Sequence, residues 1–194
     1  MKRRKFIKDT AAGAAAFTVI PASVLGRGGS VAPNSRINLA YIGTGKQARD
    51  LQKFFTQQTK ESVTVAACDV DSQKLEWFKE LAGEANQERG TGANVFTTKD
   101  YREILEHDDV DGVVIATPDH WHAQITVDAV KTGKDIYCEK PMALTVAEGR
   151  AMVNATRKYD RVFQTGNMQR SWRDFRHAVE LVRNGYIGEV KTIN

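Results

Sequence analysis

Between residues 37 and 165 the chain alternates short, almost purely apolar runs with longer stretches of mixed polarity. The apolar runs are 37–42 (INLAYI), 63–68 (VTVAAC), 112–117 (GVVIAT), 135–138 (DIYC) and 161–165 (RVFQT), with 94–97 a weaker sixth. Runs without polar alternation suit strands buried on both faces of a parallel sheet. The stretches between them, 46–59, 71–86, 100–107, 119–132 and 145–159, predict helices. Thr145, followed three residues later by Glu148, has the spacing of a capping box, and Gly133 stands where a helix C-terminus calls for positive φ. Strand–helix alternation at this spacing predicts right-handed crossovers and an α/β, doubly wound parallel sheet over residues 36–165. Residues 172–185 predict a further helix with Phe175, Val179 and Val182 on one face, and residues 186–194 read as the start of a new strand. Residues 166–194 thus read as the connecting helix and first strand of a truncated α+β second domain.

Composition mainly excludes. With 194 residues, 41% hydrophobic and 27% charged, the chain suits one compact domain and no collagen-like, low-complexity or disulfide-scaffold class. A net charge of +4 hints at nucleic acid until the charges are located. Residues 1–36 hold seven of the 28 basic residues and one of the 24 acidic ones, leaving 21 basic against 23 acidic in the rest. The body is slightly acidic, which excludes a nucleic-acid partner on charge grounds.

The basic start has its own logic. MKRRKFIK at 1–8 precedes an uncharged stretch, 10–26, rich in Ala and broken by Gly13 and Pro21. A positive head, a weakly apolar middle and small residues after it form the layout of a secretory signal. Arg3, Arg4, Phe6, Ile7 and Lys8 resemble a twin-arginine signal spanning residues 1–30; a basic amphipathic start is the plain alternative. The resemblance implies the twin-arginine export machinery as a partner, export after folding and a periplasmic or exported location. Seventeen uncharged residues, many of them small, fall short of the ~20 apolar ones a membrane span needs.

Directly after the first strand, Gly43, Thr44, Gly45, Lys46, Gln47 and Ala48 match the pattern G-x-G-x-x-A. The first Gly permits a tight strand-to-helix turn, and the second lets backbone approach a pyrophosphate. The small third residue lets the helix pack close, and the helix N-terminus offers N–H groups to the anion. Asp69, at the end of the second strand, stands where a carboxylate hydrogen-bonds the adenosine ribose of NAD and repels the 2′-phosphate of NADP. The predicted fold is therefore a Rossmann domain with NAD, rather than NADP, as cofactor. Lys46 lies inside the turn, either lending charge to a phosphate or pointing to solvent; Asp69 read plainly is a turn or cap residue, as Asp71 is.

Ligands in doubly wound sheets bind beyond the carboxyl ends of the strands. The fourth strand runs into Thr117, Pro118 and His122, and the fifth into Glu139, Lys140 and Pro141. With the Gly43–Ala48 turn and Asp69, these motifs resemble the glucose–fructose oxidoreductase, inositol 2-dehydrogenase and MocA family over residues 36–194. Glu-Lys-Pro after a strand is the most specific of them. The resemblance implies that Thr117 and Pro118 line the nicotinamide side, with His122 of the same motif among the cofactor-binding residues. It also implies that Glu139 contacts the nicotinamide ribose or orients the lysine, and that Lys140 faces the reacting carbon and assists proton transfer. The substrate it implies is a small sugar or polyol, and full-length subunits are expected to associate as homo-oligomers.

His120 and His122 flank Trp121, but positions i and i+2 on a helix point away from each other, and no Cys-x-x-Cys accompanies them. No metal site is expected. In the strand order 3-2-1-4-5 expected of such a sheet, Cys68 on the second strand and Cys138 on the fifth stand three spacings, about 14 Å, apart, twice what a disulfide spans, so both are expected to be free and buried. Three functions remain open: an NAD-dependent sugar or polyol oxidoreductase, an NAD-retaining glycoside-cleaving enzyme, and a non-catalytic nucleotide-binding remnant. The chain as given lacks the second-domain residues that complete a catalytic site in the family it resembles, which leaves its status as an enzyme open.

Overall fold

The structure is a computed structural model that describes residues 31–193; the export signal expected at 1–30 lies outside them. The chain divides after Arg36, and one 3-10 turn, Pro33–Ser35, is described before that point. From Ile37 onward, strands and helices alternate among the described residues. They are β1 (Ile37–Ile42), α1 (Lys46–Gln58), β2 (Ser62–Cys68), α2 (Ser72–Glu88), β3 (Phe96–Thr98) and α3 (Tyr101–Leu105). There follow β4 (Gly112–Ile115), α4 (His122–Lys131), β5 (Asp135–Glu139), α5 (Val146–Lys158), β6 (Phe163–Gly166) and α6 (Arg173–Arg183), with 3-10 turns at Asp119–Trp121 and Met168–Ser171.

The strands form one sheet in the order β3-β2-β1-β4-β5-β6, and every pairing is parallel. The chain builds outward from β1 to one edge, returns, and builds from β4 to the other. This is the expected doubly wound α/β sheet. The direction changes between β1 and β4, which opens a crevice at their carboxyl ends.

The period of two along each strand sorts the core into two layers. Ala40, Ile42, Ala66, Cys68, Val113 and Ile115 face one side with Ile104, Ile125, Val130 and Met152. Tyr41, Ala67 and Val114 face the other with Ala48, Leu51, Leu75 and Phe78. Burying Phe78 completely contributes roughly 1.5–3 kcal/mol. Two buried polar side chains are paired with backbone: Lys134 donates to the carbonyls of His107 and Val110, and Asn86 to those of Thr64 and Ala93.

The helix signals act as the sequence specifies. The Thr145 hydroxyl accepts from the Glu148 N–H while the Glu148 carboxylate accepts from the Thr145 N–H. Asp71 and Asp100 cap α2 and α3, and the backbone N–H groups they accept from hold both carboxyls below the usual range.

The structure departs from expectation at element ends. The ladder of β4 closes at Ile115, because Pro118 bends the chain away after one further bond, Ala116 N–H to Ile42 carbonyl. The stretch 119–132 is a 3-10 turn followed by α4 rather than one helix. No strand forms over residues 186–193, which turn and then run without a neighbouring edge to pair with.

Cys68 and Cys138 are free and buried, and burial pushes both thiols up to about 12. With so little thiolate at neutral pH, neither is expected to react with iodoacetamide until the protein is unfolded. Mass spectrometry of the folded and denatured chain checks this; rapid modification of either residue in the folded chain contradicts the burial.

Candidate dinucleotide-binding site

The crevice beyond the carboxyl ends of β1, β2 and β4 is a cleft of about 560 Å³. Its floor is the turn that follows β1. Gly43 has φ +85°, the left-handed region glycine favours, and its N–H donates to the Cys68 carbonyl at 2.8 Å. A Cβ at Gly43 would lie 2.7 Å from the Ala116 carbonyl oxygen and 2.9 Å from the Thr117 nitrogen. Only glycine therefore lets β1 and the end of β4 approach this closely. Gly45 caps α1, no side chain caps the helix with it, and nothing lies within 4 Å of where its Cβ would stand. An uncapped helix start facing open space leaves N–H groups available for an anion.

Asp69 holds this turn in shape. Its Oδ2 accepts from the Thr44 N–H at 2.7 Å and the Thr44 hydroxyl at 3.0 Å, and its Oδ1 accepts from the Asp71 N–H at 2.9 Å. A carboxylate offers about four acceptor positions, so one on Oδ1 remains for a ribose hydroxyl. Asp69, Gly43 and Gly45 line the cleft together with Thr117 and Pro118. The Thr117 hydroxyl is buried and has no hydrogen-bond partner. An orphaned buried hydroxyl, an uncapped helix N-terminus and a carboxylate with a free acceptor position match the amide, diphosphate and ribose of a nicotinamide dinucleotide.

Other predicted residues stand elsewhere. Thr44 is fully buried beneath the turn, with its amide and hydroxyl both given to Asp69, so it supports the turn instead of lining the cleft. Ala48 is buried in the α1 packing face, the close approach its small size permits. Lys46 is exposed beside the turn. His122 does not reach the cleft: its Nδ1 lies 2.7 Å from the Pro141 carbonyl oxygen and its Nε2 2.9 Å from that of Thr117. Only 1% exposed, it ties the β4 end to the loop after β5. Glu139 is likewise buried, and its carboxylate accepts from Gln47 Nε2 at 3.0 Å and the Lys140 N–H at 3.2 Å. Lys140 itself is exposed at the end of β5.

Sequence reasoning missed the far wall. Val70, Lys74, Lys99, Tyr101 and Arg102 line the cleft beyond Asp69. The Arg102 guanidinium sits over the Tyr101 ring at 4.7 Å, and Trp121 meets that ring edge-on at 6.5 Å. The signal was position: Lys99 to Arg102 follow β3, whose three-residue ladder is too short to announce a strand end.

A model of an oxidoreductase family with an NAD-binding Rossmann fold matches residues 37–167. A myo-inositol 2-dehydrogenase of Thermotoga maritima is 30% identical over 129 residues, 66% of this chain and 36% of that protein. A glycosyl hydrolase family 109 protein of a Shewanella species is 29% identical over 206 residues, covering 97% of this chain and 44% of that one. The solved scyllo-inositol dehydrogenase of Lactobacillus casei, with bound NAD(H) and scyllo-inositol, superposes with a TM-score of 0.66 at 25% identity, over 79% of this chain and 43% of that one. The chain thus spans less than half the length of these relatives. Its doubly wound sheet, glycine turn and strand-end motifs, together with the match over residues 37–167, place it in the glucose–fructose oxidoreductase, inositol dehydrogenase and MocA family as an NAD(P)-binding Rossmann domain.

Proposed function

We propose that this chain is the cofactor half of an exported oxidoreductase that moves hydride between a hydroxyl-bearing carbon of a sugar or polyol and a nicotinamide. The observation that carries the reading is the cleft itself. A left-handed glycine turn is braced by Asp69 on one side, and Thr117, with an unpartnered buried hydroxyl, lines the cleft just past the end of β4. When bound, the nicotinamide ring accepts or returns the hydride. The chain's residues do the rest. The N-terminus of α1 holds the diphosphate, Asp69 takes a ribose hydroxyl, and Thr117 and Pro118 orient the ring. Lys140 receives the substrate hydroxyl proton at Nζ and stabilises the developing alkoxide. Portions of the relatives beyond the length matched here would supply the substrate pocket and the contacts between like subunits. The twin-arginine pattern at residues 1–30 supports export by that machinery to the periplasm.

A second reading shares the same site. The glycosyl hydrolase family 109 relative aligns with nearly the whole chain. Oxidation at a sugar C3 acidifies the neighbouring C2–H, so that the glycosidic group is eliminated with that proton, and water adds at C1 before the hydride returns to C3. Cleavage without net change in cofactor marks this route; accumulating NADH with a free sugar marks the first.

Calorimetric titration of the chain with NADH and NADPH tests the common basis. NADH is expected to bind, and NADPH to bind more weakly because Asp69 faces the 2′-position. Asp69→Ala removes a ribose acceptor and leaves the Thr44 N–H without its partner, so NADH affinity is expected to fall about 10- to 100-fold. Well-folded protein that gives no heat with either coenzyme overturns the reading.

A further inference from the structure

At the end of β5, one buried carboxylate joins two parts of the site that lie far apart in sequence. Gln47, in the first turn of α1, donates its side-chain amide to Glu139 Oε1 at 3.0 Å, across 92 residues of chain. Glu139 Oε2 accepts the backbone N–H of Lys140 at 3.2 Å. The Tyr137 phenol hydrogen-bonds the same carboxylate; burial first, and then that charge, push the phenol up to about 12. Gly166, at the end of β6, closes the box: a Cβ there would fall 2.7 Å from Glu139 Oε1 and 3.0 Å from the Tyr137 hydroxyl. Glu139 is only 5% exposed, and burying a carboxylate is costly unless its oxygens are hydrogen-bonded. Here the donors are neutral and come from α1 and β5, while glycine on β6 leaves the room.

We propose that Glu139 is a positioning residue that couples the diphosphate-holding turn to Lys140, so that seating the dinucleotide and placing the lysine are one event. The inference rests on the dinucleotide reading above and deepens it. Glu139 fixes Gln47 with one carboxylate oxygen and the Lys140 backbone with the other. The carboxylate also stands near the start of α1, where negative charge is favoured.

The arrangement dictates the test. Glu139→Gln keeps the shape but leaves one acceptor oxygen for the three donors, so Gln47 or the Lys140 N–H loses its partner. Gln47→Glu sets two carboxylates against each other. Combining Gln47→Glu with Glu139→Gln reverses the pair: the amide oxygen serves the Lys140 N–H, and the amide N–H groups serve the new carboxylate. Two readouts are taken on the full chain, hydrogen exchange over residues 45–49 and 139–143 without cofactor, and NADH affinity by titration. Each single substitution is expected to speed exchange in both segments and to weaken NADH about tenfold; the double substitution is expected to return both close to the original. Tyr137→Phe, which removes one donor and leaves the fold's packing intact, is expected to move the same segments less.

The proposal is overturned if Glu139→Gln leaves exchange over 45–49 unchanged, or if the double variant is no better than the worse single one, as a merely local packing role requires. Should the unmodified chain bind no NADH, the dinucleotide reading falls, while the exchange comparison still decides whether Glu139 links the two segments.

Discussion

Gly43→Ala is expected to abolish dinucleotide binding and to cost the fold about 2–5 kcal/mol. Two penalties act together. At φ +85° an L side chain is strained by roughly 1–2 kcal/mol, and the new Cβ would press on backbone atoms of Ala116 and Thr117 at 2.7–2.9 Å. Overpacking of this kind costs typically 1–3 kcal/mol, and here the neighbour cannot step aside. Ala116 is bonded through its N–H to the Ile42 carbonyl at 2.9 Å, in the pairing that joins the two halves of the sheet. Relief must come from opening the β1–β4 ends, which displaces Thr117 and the floor of the cleft. Gly45→Ala supplies the contrast. Its φ of −66° is ordinary and no atom lies within 4 Å of the added carbon, so stability should change by less than about 1 kcal/mol, while a methyl group beside the helix N-terminus weakens diphosphate binding. Urea denaturation and NADH titration of both variants separate the effects. Equal loss of stability in the two would contradict the asymmetry of the turn.

What the sequence made legible follows how far apart the interacting residues lie. The glycine turn, the uncapped start of α1 and the strand-end carboxylate Asp69 belong to one strand–helix–strand unit, and each obeys a short-range rule. The capping box at Thr145 and Glu148 spans four residues and forms both of its bonds. The apolar runs predict the central strands because residues such as Tyr41, Val114 and Ile136 are buried whatever stands beside them. Glu139 shows where such rules stop. Its partners are Gln47, 92 residues earlier, and Gly166, on the next strand, and no local pattern announces either. His122 belongs to a recognisable motif, yet its bond to the Pro141 carbonyl depends on a loop 19 residues away, so the motif predicted importance and missed the task. The far wall of the cleft was hidden for another reason: β3 is an edge strand of three residues with an exposed Phe96, too short to carry a hydrophobic signature.

Lys140→Met is expected to lower hydride transfer by about 10²- to 10⁴-fold, the range a positioned acid–base group contributes, and to leave NADH affinity within about twofold of the original. The two halves of this expectation follow from where the residue's parts are held. The backbone N–H of Lys140 is fixed by Glu139, so the strand end keeps its course whatever side chain follows. The ammonium is exposed at that end and outside the cleft that Asp69, Gly43 and Thr117 line, so removing it takes nothing from the diphosphate or the adenosine ribose. Methionine keeps the length of the stem and removes both charge and proton. Lys140→Arg divides the remaining question, since a guanidinium keeps its charge and does not release its proton. If charge beside the developing alkoxide is the larger contribution, arginine restores much of the rate; if proton transfer is, it restores little. The measurement is the 340 nm signal of a single turnover with an inositol, in a protein that carries the substrate-binding portion proposed above. A Lys140→Met protein that transfers hydride at an undiminished rate would show that the strand-end lysine is a surface cation and that the proton leaves by another group.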